Sequence, residues 1–191
     1  MNQQLMNRRL KESFSRETLQ RTFNSLGRVV MSSSFGRYSA VMLHLVHSEC
    51  GTCPVINIKL DDETAETRKH RKHLQEMLDL DLRVYERRQG ESKADTFDRA
   101  LDDLNADALV SGLLWEETTH REQFEYIMFD RDSDIYRVHP VLHWRHGDHE
   151  AYCTENDLPI NQNYYDPHKD EGEKKECGIH IFEYEQDGSG I

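Results

Sequence analysis

Residues 28 to 47 read RVVMSSSFGRYSAVMLHLVH, and the fold is decided here. Arg28 to Ser33 is apolar and β-branched enough for a buried strand, and from Tyr38 to His47 the apolar positions recur at helical spacing. Between them lies a small-residue turn, Ser32-Ser33-Ser34-Phe35-Gly36. A strand that turns directly into a helix presents backbone N–H groups and hydroxyls at the helix N-terminus, where an anion is favoured.

Working outward, the same alternation recurs. Val55 to Ile58 reads as a strand, Glu63 to Asp79 as a charged helix and Asp81 to Tyr85 as a strand. Ser92 to Asn105 follows as a helix with Phe97, Leu101 and Leu104 on one face, then Ala108 to Leu113 as a strand. Alternation of this kind implies an α/β fold, an open, mostly parallel sheet with helices on both faces. Upstream, Leu5, Leu10, Phe14, Leu19, Phe23 and Leu26 stand at roughly helical spacing, interleaved with Arg and Lys, and predict an amphipathic helix ended by Gly27. Downstream the pattern blurs into an extended segment over Ile135 to Trp144 and a short helix over Asp148 to Glu155. The expected organisation is one domain over residues 1–166 and a polar, mobile tail over 167–191.

Composition narrows the function classes. With 191 residues, one domain can bury roughly 70% of its unfolded surface, so neither disulfides nor metal are needed for a core. The net charge of −12 opposes nucleic-acid binding, which needs clustered Lys and Arg, but a local patch can still hold a small anion. No apolar run approaches the length of a membrane span and the start, MNQQLMNRR, lacks the apolar stretch of a signal peptide, so a cytoplasmic location is expected. In a reducing compartment the four cysteines, Cys50, Cys53, Cys153 and Cys177, are buried, metal-binding or reactive.

Two places carry candidate chemistry. The Ser32 to Gly36 turn lacks a Walker lysine, so no γ-phosphate chemistry follows, and the residues alone leave phosphate cradle and serine-rich helix cap equally open. In the tail, Glu176-Cys177-Gly178-Ile179-His180 places a thiol among Lys174, Lys175 and His180, whose positive charge favours thiolate, partly opposed by Glu176.

With these residues in view, MSSSFGRYSAVMLHLV (31–46) and KKECGIH (174–180) resemble the nucleotide loop and C-terminal catalytic motif of phosphoadenylyl-sulfate reductases. PVINIKLDDETAET (54–67), Lys93 with Arg99-Ala100-Leu101, and the stretch from Ser111 through Trp144 to Asp166 are similar to the intervening parts. The resemblance implies the adenine nucleotide alpha-hydrolase-like fold and reduction of 3′-phosphoadenylyl sulfate to sulfite and adenosine 3′,5′-bisphosphate. It also implies Cys177 as nucleophile, with His180 in the same motif, and thioredoxin or glutaredoxin as reductant. Ser32, Ser33, Ser34, Phe35 and Gly36 would then hold the nucleotide, Lys93 and Arg121 would face the phosphosulfate, and a homodimer would be the assembly.

The chain also departs from the family. Ile58-Lys59-Leu60-Asp61 stands where a Thr-Asp-Thr-Gly-like strand end is expected, and Gly112-Leu113-Leu114-Trp115 replaces Gly-Leu-Arg-Arg, losing two cations. The basic loop before the catalytic motif is largely missing, as in a shortened member. Arg88 to Ser92 holds no cysteine, so neither an iron–sulfur cluster nor another metal is expected. An adenine-nucleotide-binding module without turnover and a related sulfur-transfer enzyme are the alternatives. Cys50-Gly-Thr-Cys53 reads as an incidental pair, His139, His143, His146 and His149 as a solvated segment, and Arg68 to His73 as an exposed helix face.

Overall fold

Four strands form the expected parallel sheet, and the inner three share one burial logic. A computed structural model describes residues 3–59 and 63–162. In it β1 (Val29–Ser32), β2 (Pro54–Ile58), β3 (Asp81–Tyr85) and β4 (Ala108–Val110) pair in parallel, and β1 to β4 alternate with helices α1 (Gln3–Ser25), α2 (Ser39–Cys50), α3 (Ala65–Met77) and α4 (Lys93–Leu104). Successive strand residues point to opposite faces, and in the inner strands β1, β2 and β4 both faces are buried. Val29, Met31, Val55, Ala108 and Val110 therefore join one cluster with the helices α2 and α3, while Val30, Ile56, Ile58 and Leu109 join another under Phe97, Ala100 and Leu101 of α4. Both faces are covered, as a parallel sheet requires.

The sheet order is β3-β2-β1-β4-β6-β5, with β5 (Ile127–Asp130) and β6 (Ile135–Val138) added beyond β4, and α5 (His146–Glu155) follows. β6 runs parallel to β4, and β5 closes the edge antiparallel to β6. The strand β5 was not apparent from periodicity. The extended segment expected to Trp144 ends at Val138, where Pro140 follows and turn bonds from Leu142 N to His139 O (3.1 Å) and from Trp144 N to Val141 O (2.9 Å) take over. Similarly β4 ends at Val110, and Leu113 packs instead with Phe124 and Leu142 in a small separate cluster.

Helix α1 buries only part of its apolar stripe: Leu19 is buried and Phe23 and Leu26 pack against the core, but the rest of the inward face is polar. Leu10 and Phe14 are exposed, whereas Arg8, Ser15, Thr18, Leu19 and Thr22 face inward. Distant partners explain the buried polar residues. Ser15 Oγ accepts from Trp144 Nε1 (3.0 Å) and donates to Pro140 O (2.7 Å), Arg8 pairs with Glu155, and Lys11 reaches Asp148 at 2.6 Å. A polar face thus docks on α5 because each buried polar group finds a partner. Gly27 ends α1 with φ +67, and an added Cβ would lie 2.4 Å from Asp107 Oδ2, which accepts from Arg28 N at 2.7 Å.

Two further expectations change. The histidine run is split: His143 and His146 are exposed, but His139 and His149 are buried at 1% and 2% exposure. Likewise the Arg68 to His73 face is not wholly exposed, because His70 is buried and Arg71 turns inward to pair with Glu63. His149 packs between Trp144 (5.2 Å) and Tyr38 (5.3 Å), and neither ring nitrogen has a hydrogen-bond partner among the described residues. Burial, reinforced by His146, pushes its pKa down to about 4. Among the described residues, no helix is long and apolar enough to cross a membrane.

Two outcomes follow. Ser15→Ala leaves the Trp144 N–H and the Pro140 carbonyl without their partner and should lower unfolding stability by about 1–3 kcal/mol in urea titration. Leu10→Ser, on the exposed side, should change it by less than about 0.5 kcal/mol. The second concerns acid. His149 is neutral when folded, whereas the unfolded chain takes up the proton near pH 6.5. Its contribution to stability is therefore intact above about pH 6.5 and falls as the pH drops toward about 4. Urea midpoints measured from pH 7.5 to 4.5 should decline in the wild type and decline less steeply in His149→Phe.

Candidate functional site

In an open α/β sheet, ligands bind beyond the carboxyl ends of the strands where the connections diverge to either side. Here the divergence lies between β1, whose chain proceeds through α2 to β2, and its other neighbour β4. The Ser32 to Gly36 turn leaves β1 at this point, and Ser111 and Gly112 leave β4 beside it. An added Cβ on Gly112 would sit 2.9 Å from Met42 Cγ, so glycine lets α2 close onto this end of the sheet.

The turn is held rigidly. Phe35 has φ +53, a left-handed conformation uncommon for a bulky residue, and its side chain is fully buried in the larger core cluster. Ser33 N donates to Ile56 O (3.0 Å), and Phe35 N donates to Ser33 Oγ (3.1 Å). Carbonyls are also occupied: Asn57 Nδ2 donates to Ser33 O (2.9 Å), Asn161 Nδ2 to Phe35 O (3.2 Å) and Asn161 N to Arg37 O (3.2 Å). By contrast the backbone N–H groups of Ser34 and Gly36 meet no acceptor among the described residues. Ser34 is exposed, and Ser32, Ser33 and Gly36 are half-buried. Such a turn can accept an anion through N–H groups in a protein of strongly negative charge.

Around it stand buried polar side chains that periodicity did not single out: Asn57, Thr67, His70 and Asn161. Thr64 caps α3 by accepting from Thr67 N (3.1 Å), so a second helix N-terminus also faces this end. Arg71 donates to Asn57 Oδ1 (3.0 Å) and pairs with Glu63. Ser39 Oγ lies 3.4 Å from His70 Nε2, and burial lowers the pKa of that imidazole. Beyond β4, Ser111 Oγ contacts His139 Nδ1 at 2.9 Å. Burial, aided by Arg137 and Arg121, pushes His139 down to about 3, so the imidazole is neutral.

The other expected residues lie as follows. Lys93 is the first residue of α4, on the opposite face of the sheet from α2, and the preceding loop is fixed by Glu91. Arg99, through Nε at 2.8 Å, and Arg88 N, at 2.8 Å, hold the Glu91 carboxyl at about 2. Arg121, 4% exposed, follows β4 in a short 3-10 turn, where it pairs with Glu117 and donates to Leu114 O. Cys177 and His180 lie outside the described residues. The Cys50 and Cys53 thiols stand at the opposite, amino end of the strands, and burial pushes them up to about 11 and about 12. Cys50 closes a helix C-terminus, where the dipole also opposes a thiolate. Among the described residues, no three His, Cys, Asp or Glu side chains converge as metal ligands.

Comparison with known proteins agrees with this geometry. Residues 28–98 and 89–168 match the family model described as phosphoadenosine phosphosulfate reductase domain. A phosphoadenosine 5′-phosphosulfate reductase from Synechococcus sp. is 32% identical over 200 aligned positions, covering 80% of this chain and 85% of the relative. One from Photobacterium profundum is 30% identical, with 84% and 81% covered. Among solved structures, the phosphate complex of a phosphoadenylyl-sulfate reductase from Candida auris superposes with TM-score 0.68 at 17% identity, covering 84% of this chain and 90% of that one. The FMN adenylyltransferase of Candida glabrata, bound to FMN and an ATP analogue, superposes with TM-score 0.73 at 19% identity over 83% and 60%. These two distant likenesses establish the fold, and the family match with the two relatives establishes the kinship: the chain belongs to the phosphoadenosine phosphosulfate reductase family.

Proposed function

We propose that this protein reduces 3′-phosphoadenylyl sulfate to sulfite and adenosine 3′,5′-bisphosphate in assimilatory sulfate reduction. The observation that carries the reading is the turn at the sheet's divergence point, with its two uncommitted N–H groups, in a chain whose relatives are named for this activity. In this reading Ser32, Ser33, Ser34, Phe35 and Gly36 hold the nucleotide phosphate, and Lys93 and Arg121 serve the phosphosulfate. Arg121 is already paired with Glu117, so meeting an anion requires that pair to open or to move together.

The Cys177 thiolate attacks the sulfonyl sulfur. An S–S bond forms, the bond from sulfur to the bridging oxygen breaks, and its electron pair leaves on adenosine 3′,5′-bisphosphate. A thiolate of thioredoxin or glutaredoxin then attacks Cys177 Sγ and expels sulfite. A second thiol on the donor resolves the mixed disulfide, so the donor is oxidised to its disulfide and Cys177 is regenerated. Covalent catalysis thereby divides one difficult displacement into two. His180, three residues from Cys177, would stabilise the thiolate. The reading places the enzyme in the cytoplasm as a homodimer, and it has no iron–sulfur cluster, because Arg88 to Ser92, just before Lys93, holds no cysteine.

The deciding experiment is sulfite release from 3′-phosphoadenylyl sulfate with thioredoxin present. Cys177→Ser should lower it by more than about a thousandfold while nucleotide binding survives. Cys50→Ser, Cys53→Ser and Cys153→Ser should each retain turnover. Without reductant, mass spectrometry should find a sulfonate on the peptide containing Cys177. An adduct elsewhere, or sulfite from Cys177→Ser, overturns the mechanism. Nucleotide binding with no sulfite at all would instead identify a binding module.

A further inference from the structure

Two buried asparagines hold carbonyls of the turn, and both carbonyls belong to the peptide groups whose N–H ends are uncommitted. A trans peptide is planar, with C=O and N–H pointing in opposite directions, so fixing one end aims the other. Asn57, 3% exposed, donates to Ser33 O at 2.9 Å, and the N–H of that peptide belongs to Ser34. Asn161, 4% exposed, donates to Phe35 O at 3.2 Å, and the N–H of that peptide belongs to Gly36.

We propose that Asn57 and Asn161 are positioning residues of the nucleotide site, which aim the Ser34 and Gly36 N–H groups at the bound phosphate by gripping the far ends of their peptide planes. The proposal rests on the nucleotide reading above. Each asparagine is itself braced. Asn57 Oδ1 accepts from Arg71 at 3.0 Å, and Asn161 Nδ2 also donates to Thr67 Oγ1 at 3.2 Å, tying the turn to the first turn of α3. The Asn161 backbone N–H holds Arg37 O at 3.2 Å, which orients the next peptide but one. These two side chains lie 104 positions apart in sequence and converge on one five-residue turn. Donors held in place before the ligand arrives need no reorganisation when it binds.

Asp in place of either residue keeps the size, removes the donor and sets a carboxylate against the carbonyl. Asn57→Asp retains the acceptor for Arg71. The measurement is affinity for adenosine 3′,5′-bisphosphate by titration calorimetry, together with melting temperature and the sulfite assay. Each variant should bind about tenfold more weakly or worse, the scale of one lost charge-assisted hydrogen bond. The loss in turnover should fall on KM more than on kcat, because Cys177 lies on a different segment. Asn24→Asp, the same exchange at an exposed position of α1 outside the site, should bind as the wild type does. Folded variants that bind within twofold of wild type overturn the proposal, as does a lowered melting temperature with unchanged affinity, the mark of a purely structural role. If Asn161→Asp does not fold, Asn57→Asp decides. A wild type that does not bind the nucleotide refutes the functional reading itself, a result distinct from these.

Discussion

Phe35 has a backbone conformation that costs roughly 1–3 kcal/mol for a bulky residue, and it persists because the surrounding core over-determines it. Full burial of the ring in the larger core cluster contributes about 1.5–3 kcal/mol, enough to offset the strain. The left-handed residue lets the chain leave β1, turn within a few residues and enter α2, with the intervening N–H groups outside any helix or sheet. A residue of the same backbone freedom but no side chain would allow the turn without fixing it. Anchoring by a buried aromatic makes the turn a rigid part of the core, and the geometry of the candidate site rests on it.

Electrostatics at this end of the sheet are arranged by pairing. The protein carries a net charge of −12, and Arg71, Arg99 and Arg121 are matched to Glu63, Glu91 and Glu117. Arg121 and Arg71 have little exposed side chain, so removing either acidic partner would leave a poorly solvated charge. Under the proposed function, anion recognition at the turn would draw first on backbone N–H groups and helix N-termini, which carry fixed partial charges whatever the net charge of the chain. The buried histidines follow the same economy of charge: His139 and His149 are held neutral by burial.

Much of the architecture was legible in the sequence. β3 falls over Asp81 to Tyr85 as expected, and α4 lies between its predicted ends, with Ser92 as N-cap and Asn105 in the left-handed conformation at the other end. The turn after β1 was identified from its small residues before a helix. Each of these signals is local, carried by side-chain periodicity, a cap or a turn. The exposed apolar residues of α1 misled for a complementary reason. Leu10 and Phe14 share a helical face, but the docking energy of α1 comes also from Ser15 meeting Trp144 and from ion pairs with α5.

What the sequence by itself determined is thus the alternation of β1 to β4 with α1 to α4, the position of the small-residue turn after β1 and the family, because local spacing and recognisable motifs carry that information. The tertiary structure alone decided that β5 joins the sheet antiparallel, that His139 and His149 are buried, that Arg121 meets Glu117, and that Asn57 and Asn161 grip the turn. Those outcomes depend on which groups from distant parts of the chain arrive together. A buried polar side chain is stable only where a partner is within hydrogen-bonding distance or its charge is suppressed, and spacing along the chain does not encode that distance.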